Sequence, residues 1–276
     1  MSAPSSSSIA ARRQAFRALH AEGCFIIPNP WDVGSARYLE GLGFKALAST
    51  SSGYAWSQGR PDGGASREEV LAHLCDLVAA TGLPVNADFE SGFAADAQGV
   101  HESVRLAVET GVAGISIEDA SGDPSQPIRS LDEALSRLRA ARRAIDEAGG
   151  EVMLVGRAEN FLHGRDDLPD TLARLKAYAD AGADCLYAPG IRTPEQISAV
   201  VAAVAPKPVN LLVGSTSPMS LQQIAALGVR RVSVGGALAR SAWGGFIQAA
   251  RTLAEQGRFD GFAQAASGQA LNDFFR

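Results

Sequence analysis

The sequence contains few cysteines, no long apolar run and no surplus of positive charge. Its three cysteines, Cys24, Cys75 and Cys185, lie too far apart for a zinc site, and their odd number disfavours a disulfide framework. No stretch approaches the roughly 18 apolar residues that a membrane span requires. The net charge of −5 disfavours nucleic acid as a partner, because the chain has no basic footprint. We therefore expect a cytoplasmic protein with no membrane and no nucleic-acid partner.

Short apolar runs alternate with amphipathic stretches of helical length along the chain. Eight such runs, often β-branched, predict buried parallel strands. In sequence order they are FIIPN, ALAST, PVNADF, GISIE, VMLVGR, CLYAP, PVNLLV and RVSVGG. Glycines that suit the ends of helices precede five of them, in LEGLG, AATG, VETG, ADAG and AALG.

This alternation predicts an α/β fold, a single (β/α)8 TIM-type barrel that spans residues 1–276. An open doubly wound sheet is the alternative, but no G-x-G-x-x-G turn follows the first predicted strand. Additional helices are expected at about residues 8–21 and in the C-terminal segment at about 259–276.

The two ends of the chain carry different signals. Residues 1–8 lack the apolar region of a secretory signal, so we expect a disordered tail there. The C-terminal segment contains four phenylalanines, which would pack on the barrel or on a neighbouring subunit. We therefore expect a homo-oligomer, either a dimer or a tetramer.

In a barrel of this kind the active site lies at the C-terminal ends of the strands. The candidate residues there are Trp31, Thr50, Ser51, Asp62, Asp88, Glu90, Glu118, Arg157, Glu159, Tyr187 and Asn210. Several of them are acidic, and close carboxylates repel one another unless a cation lies between them.

Three of these acids end adjacent predicted strands and predict a metal site. Oxygen ligands with room for water suit Mg²⁺, so Asp88, Glu90 and Glu118 are the predicted ligands, with Mn²⁺ as an alternative ion. Asp88 is expected to bind directly and the two glutamates through water. The alternative is that these acids cap helices or lie in solvated loops.

The neighbouring residues favour an anionic ligand. Small hydroxyl residues after the second strand, including Thr50 and Ser51, can direct backbone N–H groups at an anion. Arg157 can bind a carboxylate through two hydrogen bonds. Together they predict a small carboxylate substrate, such as a 2-oxo acid or its enolate. The alternative for Arg157 is a salt bridge to Glu118 or Glu159 that closes the rim.

Several of these segments resemble one known family. The segments NPWDVGSARYLEGLGFKALASTSSG, GRPDGG, DFESGF, IED and GRAENF occur in order between about residues 25 and 240. In combination they resemble the isocitrate lyase/phosphoenolpyruvate mutase superfamily. The resemblance implies a (β/α)8 barrel, an oligomer that often exchanges its C-terminal helix, and Mg²⁺. It also implies 2-oxo or 2-hydroxy carboxylate substrates and an enolpyruvate-like or oxyanion intermediate.

The resemblance also implies roles for individual residues. The D-x-D strand motif of the family falls on Asp88 and Glu90, and its acid on the fourth strand falls on Glu118. Its arginine falls on Arg157, and its loop aspartate near the reacting centre falls on Asp62. We therefore expect a catalytic set and a substrate-binding set. The first is Asp62, Arg157 and Glu159; the second is Trp31, Thr50, Ser51, Arg157 and Asn210.

The sequence departs from the family in three places. Glu90 stands where the family usually has aspartate. The loop at 119–130 lacks the cysteine of the isocitrate-cleaving lyases and the asparagine of the phosphonomutases, and Tyr187 replaces the histidine of the latter. His163 is a candidate general acid or base, or a solvated loop residue.

These departures leave three hypotheses. The first is a Mg²⁺-dependent lyase, decarboxylase or hydrolase that cleaves a carbon–carbon bond. The second is an enzyme of the phosphonomutase type that acts on a P–C bond. The third is a barrel that binds a metabolite without catalysis.

Overall fold

The structure is a computed structural model that describes residues 8–276. It contains eight strands, eleven α-helices and two short 3-10 helices within that range. The strands are β1 (Phe25–Ile27), β2 (Leu47–Ala48), β3 (Val85–Asp88), β4 (Gly114–Glu118), β5 (Met153–Arg157), β6 (Cys185–Tyr187), β7 (Val209–Leu212) and β8 (Arg231–Ser233). The α-helices are α1 (Ile9–Leu19), α2 (Val33–Gly41), α3 (Ser51–Ser57), α4 (Arg67–Ala80), α5 (Ala97–Glu109), α6 (Leu131–Glu147), α7 (Leu168–Asp180), α8 (Pro194–Val204), α9 (Leu221–Ala226), α10 (Ala237–Gln256) and α11 (Gly268–Phe275). The 3-10 helices span Asn160–His163 and Asp260–Phe262.

All eight strands are parallel and form one sheet that is nearly closed into a barrel. Each strand pairs with the next along the chain from β2 to β8, and β8 pairs with β1. Ala48 N–H donates to Pro28 O across 3.0 Å and joins β2 to the end of β1. Each predicted strand is therefore confirmed, and so is the TIM-type fold.

Glycine ends four of the five helices at which the sequence predicted it. Gly43, Gly111, Gly182 and Gly228 have φ angles between 87° and 102°, the left-handed region that costs glycine least. The prediction for α4 was wrong. That helix ends at Thr81, whose backbone is extended, and Leu83 N–H is satisfied by the Thr81 hydroxyl at 3.0 Å.

The first helix closes the N-terminal end of the barrel. Phe16 of α1 is fully buried and packs with the inward-facing Ile27, Met153 and Cys185. Ser8 caps the start of α1, so the expected disordered tail does not include it; the remainder, residues 1–7, lies outside the described residues. The opposite end of the barrel, where the strands end, is left open for a site.

The C-terminal segment is helical in two short pieces rather than in one. Helix α11 folds back onto α2, where the Phe274 ring lies 4.6 Å from the Tyr38 ring and Arg37 Nη2 donates to Phe275 O. The preceding helix, α10, has 20 residues, yet only Ala239 among them is buried. None of the helices in the described range is long and apolar enough to cross a membrane.

Candidate active site

A cavity of about 190 Å³ opens at the C-terminal ends of the strands. Its lining is polar: the charged and phenolic members are Asp62, Asp88, Arg157, Tyr187 and Arg231. A larger cleft of about 540 Å³ adjoins it on the side of β7 and β8. The two spaces share Ser52, Asp62, Leu162, Leu212, Gly235 and Gly236 in their linings. A small ligand in the inner cavity can therefore extend into the outer cleft.

The start of α3 forms one wall of the inner cavity. Thr50 caps this helix by accepting a hydrogen bond from Gly53 N–H, and Ser51 N–H donates to Asp88 Oδ2 across 3.0 Å. Asp88 N–H in turn donates to Ser49 Oγ at 2.8 Å. The N–H of Ser52 has no acceptor among residues 8–276, and Ser52 lines the cavity. The Ser51 N–H is therefore occupied by Asp88, and the anion-binding role of this wall stays a prediction.

Arg157 lies between three carboxylates. Its Nη1 is 3.2 Å from Asp88 Oδ1 and 3.1 Å from Glu118 Oε2, and its Nε is 2.5 Å from Glu159 Oε1. The guanidinium also lies over the Tyr187 ring, 5.2 Å from its centroid. These contacts match the rim salt bridge that was the alternative reading of Arg157. The guanidinium nitrogens Nη1 and Nε of Arg157 are therefore paired with carboxylates of the protein itself.

Glu90 is held in an unusual environment. Its backbone has a φ of 46°, in the left-handed region that a non-glycine residue rarely adopts. Its buried Oε1 has no hydrogen-bond partner within residues 8–276. Burial, followed by the charges of Asp88 and Asp62, raises the pKa of Glu90 to about 7. Backbone strain of this kind is concentrated at functional sites.

Two further acids are perturbed in the same direction. Burial raises the pKa of Glu118 well above its usual range, against the opposing charge of Arg157. Partial burial, followed by the charge of Asp88, raises the pKa of Asp62 on its exposed loop. The region therefore holds more carboxyl groups than Arg157 can pair with, and burial favours the protonated form of several of them.

These residues fit a divalent cation. Glu90 Oε1 lacks a partner, and the oxygen donors of Asp88, Glu90 and Glu118 are of the kind that Mg²⁺ prefers. Across the described part of the chain, no three His, Cys, Asp or Glu side chains are already gathered around a common point. Arg157 contacts two of the three predicted ligands, so binding of a metal would require these side chains to shift.

Glu159 and Asp119 lie behind the cavity. Asp119 is almost fully buried at 1% exposure; its Oδ1 accepts from Glu159 N–H, and its Oδ2 accepts from Arg174 and Tyr178. Glu159 contacts Arg157 on one side and is 3.8 Å from His163 Nε2 on the other. Glu159 does not line the inner cavity, so it is placed to hold Arg157 rather than to touch a substrate.

The structure brings together about half of the sequence-predicted site residues at the cavity itself. Those that line it are Thr50, Ser51, Asp62, Asp88, Arg157 and Tyr187. Those that do not are Trp31, Glu90, Glu118, Glu159 and Asn210. Trp31 packs near Gly53, and Asn210 is fully buried, where it donates to Ser233 and accepts from Arg231.

Sequence reasoning missed a polar layer beneath these residues. The inner cavity is also lined by Asn29, Asn86, Ser116, Arg231 and Ser233. Asn29 accepts from the N–H groups of Val234 and Gly235 and donates to Ser49 O, so it joins the barrel at its closure. The available signal was polar residues inside otherwise apolar strands, as in VNAD and RVS.

Comparison with known proteins places the chain in a family. The sequence profile of phosphoenolpyruvate phosphomutase matches residues 16–254. A crystal structure from Burkholderia cenocepacia J2315, assigned provisionally as a lyase/mutase, is 51% identical, with a TM-score of 0.93 over 97% of each chain. An oxaloacetate decarboxylase of Paraburkholderia xenovorans is 33% identical over 80% of this chain and 74% of its own.

A second solved structure is more distant but covers nearly the whole chain. Oxaloacetate acetylhydrolase in complex with oxalate is 26% identical, with a TM-score of 0.84 over 96% of this chain and 94% of that one. The match of the family profile covers well over half of the sequence. The chain therefore belongs to the phosphoenolpyruvate phosphomutase family.

Proposed function

We propose that the protein is a divalent-metal-dependent enzyme that cleaves a carbon–carbon bond, as a lyase, a decarboxylase or a hydrolase. We propose the cytoplasm as its location. Its substrate is a small 2-oxo or 2-hydroxy carboxylate, and its reaction passes through an enolpyruvate-like oxyanion. The observation that carries this proposal is the excess of carboxylates around a single arginine at a small polar cavity. These carboxylates are Asp62, Asp88, Glu90, Glu118 and Glu159.

The metal, Mg²⁺ or Mn²⁺, would be held by Asp88, with Glu90 and Glu118 behind it. When bound, it supplies positive charge that stabilises an oxyanion developing on the substrate. Ser51 N–H holds Asp88 Oδ2 at 3.0 Å, so this ligand is oriented before any metal arrives. Arg157 offsets part of the remaining negative charge.

Other residues of the chain bind and protonate the substrate. Ser52 lines the cavity, and its N–H, which has no acceptor among residues 8–276, is a candidate donor to a carboxylate or enolate oxygen. Asp62 lies at the boundary between the inner cavity and the outer cleft. Because burial and the charge of Asp88 raise its pKa, Asp62 holds a proton to a higher pH than an exposed aspartate does, which suits it to exchange a proton with a substrate.

The size of the cavity and the relatives support a compact substrate. The inner cavity of about 190 Å³ is smaller than the roughly 300–1,000 Å³ of pockets for drug-sized ligands. Two relatives that resemble most of the chain are named for oxaloacetate, one as a decarboxylase and one as an acetylhydrolase. Oxaloacetate is therefore the first substrate to test.

The exposed helix α10 supports a homo-oligomer, either a dimer or a tetramer. Phe246 of α10 is 61% exposed and Phe259 beyond it is 68% exposed, and Trp243 and Ile247 add to the same apolar surface. Burial of such side chains contributes about 1.5–3 kcal/mol each. A second copy of the chain, by exchange of its C-terminal segment, would cover this surface.

Thermal melting with Mg²⁺, with oxalate and with both tests the metal and the enolate site. Oxalate resembles the planar enolate of pyruvate, and a ligand at 100 times its Kd adds about 2.7 kcal/mol to the free energy of unfolding. We expect a shift in Tm that requires both components and that disappears in Asp88→Asn. Turnover of oxaloacetate with release of pyruvate would then establish the reaction.

Three other outcomes would count against this proposal. Turnover of phosphonopyruvate, followed by ³¹P NMR, without cleavage of any 2-oxo acid would assign the P–C chemistry instead. Ligand binding without turnover over a broad panel of carboxylates would indicate a barrel that binds metabolites. Absence of any Mg²⁺ effect, in wild type and Asp88→Asn alike, would exclude the proposed metal site.

A further inference from the structure

Arg231 is a buried cation without an acidic partner. It is the first residue of β8, it is 2% exposed, and it lines the inner cavity. Its Nε donates to Asn210 Oδ1 at 2.8 Å, and its Nη1 donates to Asn86 Oδ1 at 3.2 Å. No carboxylate among residues 8–276 lies within ion-pair distance of it, and its Nη2 has no acceptor there. A buried charge is costly unless a counter-charge compensates for it.

Arg231 and Arg157 differ in their partners although they face the same cavity. The strand register aligns Arg157 with Tyr187, Tyr187 with Asn210, and Asn210 with Arg231, so both arginines lie in one row around the barrel. Arg157 contacts three carboxylates, whereas Arg231 contacts only neutral amide oxygens. The uncompensated positive charge of the cavity is therefore at Arg231 and not at Arg157.

The position of Arg231 sets its distance from the acidic end of the site. Its Nη1 reaches across the barrel to Asn86, which precedes Asp88 by two residues on β3. Two residues of a strand span about 7 Å. A molecule of a few carbons would therefore have one end at Asp88 and the other at Arg231.

We propose that Arg231 binds a carboxylate of the substrate at the floor of the cavity, so that the substrate is a dicarboxylate. One carboxylate, with the adjacent 2-oxo or 2-hydroxy oxygen, lies at the acidic end with the metal, and the second lies at Arg231. The two asparagines orient the guanidinium and leave its remaining donors for the ligand. This inference rests on the proposed function and names the substrate class of the same site.

A matched pair of ligands isolates the second carboxylate. Malate is lactate with one additional carboxylate, and both carry the same 2-hydroxy acid group. We would measure their Kd by thermal shift in Mg²⁺ for wild type, for Arg231→Gln and for Arg137→Gln. Arg137 is the control, since it is also buried and donates only to neutral oxygens, those of Ser91, Ala94 and Ala95, but does not line the cavity.

Wild type is expected to bind malate with a lower Kd than lactate. Arg231→Gln should lower this ratio of Kd values by about 10- to 100-fold, because a hydrogen bond to a charged group contributes that much to binding. Arg137→Gln should lower Tm and leave the preference unchanged. A preference that survives in Arg231→Gln, or that is lost equally in Arg137→Gln, would overturn the proposal. If Arg231→Gln does not fold, Arg231→Lys keeps the charge without the planar fork, and we expect an intermediate preference.

A second readout does not depend on the metal or on turnover. In EDTA, formate is a single carboxylate that needs only the cationic end of the cavity. Its Kd should rise in Arg231→Gln and stay unchanged in Arg137→Gln; equal affinity in all three proteins would contradict the role of Arg231. If wild type turns over 2-oxo acids and Arg231→Gln changes neither binding nor turnover, the role of Arg231 is rejected while the proposed function stands. If no 2-oxo acid is turned over but carboxylate binding depends on Arg231, the lyase function is rejected while the role of Arg231 stands.

Discussion

Arg157 donates to Asp88 across 3.2 Å at the rim of the barrel. This pair joins the ends of β3 and β5, with Glu118 of the intervening strand 3.1 Å from the same nitrogen. A single guanidinium thus holds the ends of three neighbouring strands together by charge. The same contact restrains the carboxylate that we propose as the direct metal ligand, so stability and metal binding are coupled at this point.

Replacement of Arg157 by methionine should destabilise the metal-free protein. It would leave the carboxylates of Asp88, Glu118 and Glu159 buried without a counter-charge, which costs about 3–5 kcal/mol. Urea unfolding in EDTA measures the change, and added Mg²⁺ should restore part of it. Arg105→Met is the control, because Arg105 contacts the carboxylates of Glu102 and Glu109 on an exposed helix face, where ion pairs contribute little to stability. Equal effects of the two substitutions would contradict this account.

Replacement of Asp62 by asparagine should lower kcat with little change in Tm. The side chain lies on an exposed loop at the boundary of the two cavities, so its loss removes a proton carrier and little packing. General acid–base catalysis contributes about 10²- to 10⁴-fold, and we expect a loss in that range for oxaloacetate cleavage. Asp123→Asn, in the exposed loop after β4, is the control. Unchanged kcat in Asp62→Asn would remove Asp62 from the chemistry.

The stability of the metal-free protein should fall with rising pH because of Glu90. Its pKa is about 7 in the folded protein against 4.5 when exposed, so below pH 4.5 the group is protonated in both states and carries no penalty. Between pH 4.5 and about 7 the unfolded chain releases this proton while the buried carboxyl of the folded protein keeps it, so stability is lost over that range and levels off above it. Glu90→Gln should remove this loss and be more stable than wild type at pH 8, by on the order of 2 kcal/mol.

Urea unfolding in EDTA at pH 5, 6, 7 and 8 measures this difference. The advantage of Glu90→Gln should be small at pH 5 and should grow up to about pH 7. Glu22→Gln is the control, because Glu22 is exposed just before β1. A difference that does not change with pH would show that Glu90 does not titrate in this range.

The sequence contained enough information for the barrel and for the acidic rim. Strand ends of a parallel sheet meet at one edge, so the identification of eight apolar runs was sufficient to bring Asp88, Glu118 and Arg157 together. The alternation of side chains along β4 also separates Glu118, which faces inward, from Asp119, which faces the helices. These features depend on local periodicity alone.

The remaining features depend on packing that periodicity does not encode. A lone arginine at the start of a strand, such as Arg231, is indistinguishable in sequence from a solvated residue at a strand end. Its burial follows from the side chains of β3 and β7, which come from distant parts of the chain. The direction of Trp31 likewise depends on how α2 and α3 meet, where a Cβ on Gly53 would lie 3.0 Å from Trp31 Cβ.

Replacement of Asp119 by alanine should cause one of the largest losses of stability among single substitutions in this site. Its carboxylate accepts from Tyr178 Oη at 2.6 Å, from Arg174 Nη1 at 3.0 Å and from Glu159 N–H at 2.8 Å. Its removal leaves buried donors unsatisfied and Arg174 without one of its two acidic partners, a loss of about 3–5 kcal/mol. Tyr178→Phe removes only one of these hydrogen bonds and should cost about 1.5–3 kcal/mol.

Urea unfolding of the two variants tests this order, with Asp123→Ala in the exposed loop as the control for a lost surface carboxylate. Asp119→Ala should also release Glu159 and therefore Arg157, so that kcat falls even where the protein remains folded. A stable Asp119→Ala with normal kcat would mean that the buried network neither stabilises the rim nor positions Arg157. An unstable variant that keeps normal kcat while folded would separate the two roles and confine Asp119 to the support of the fold.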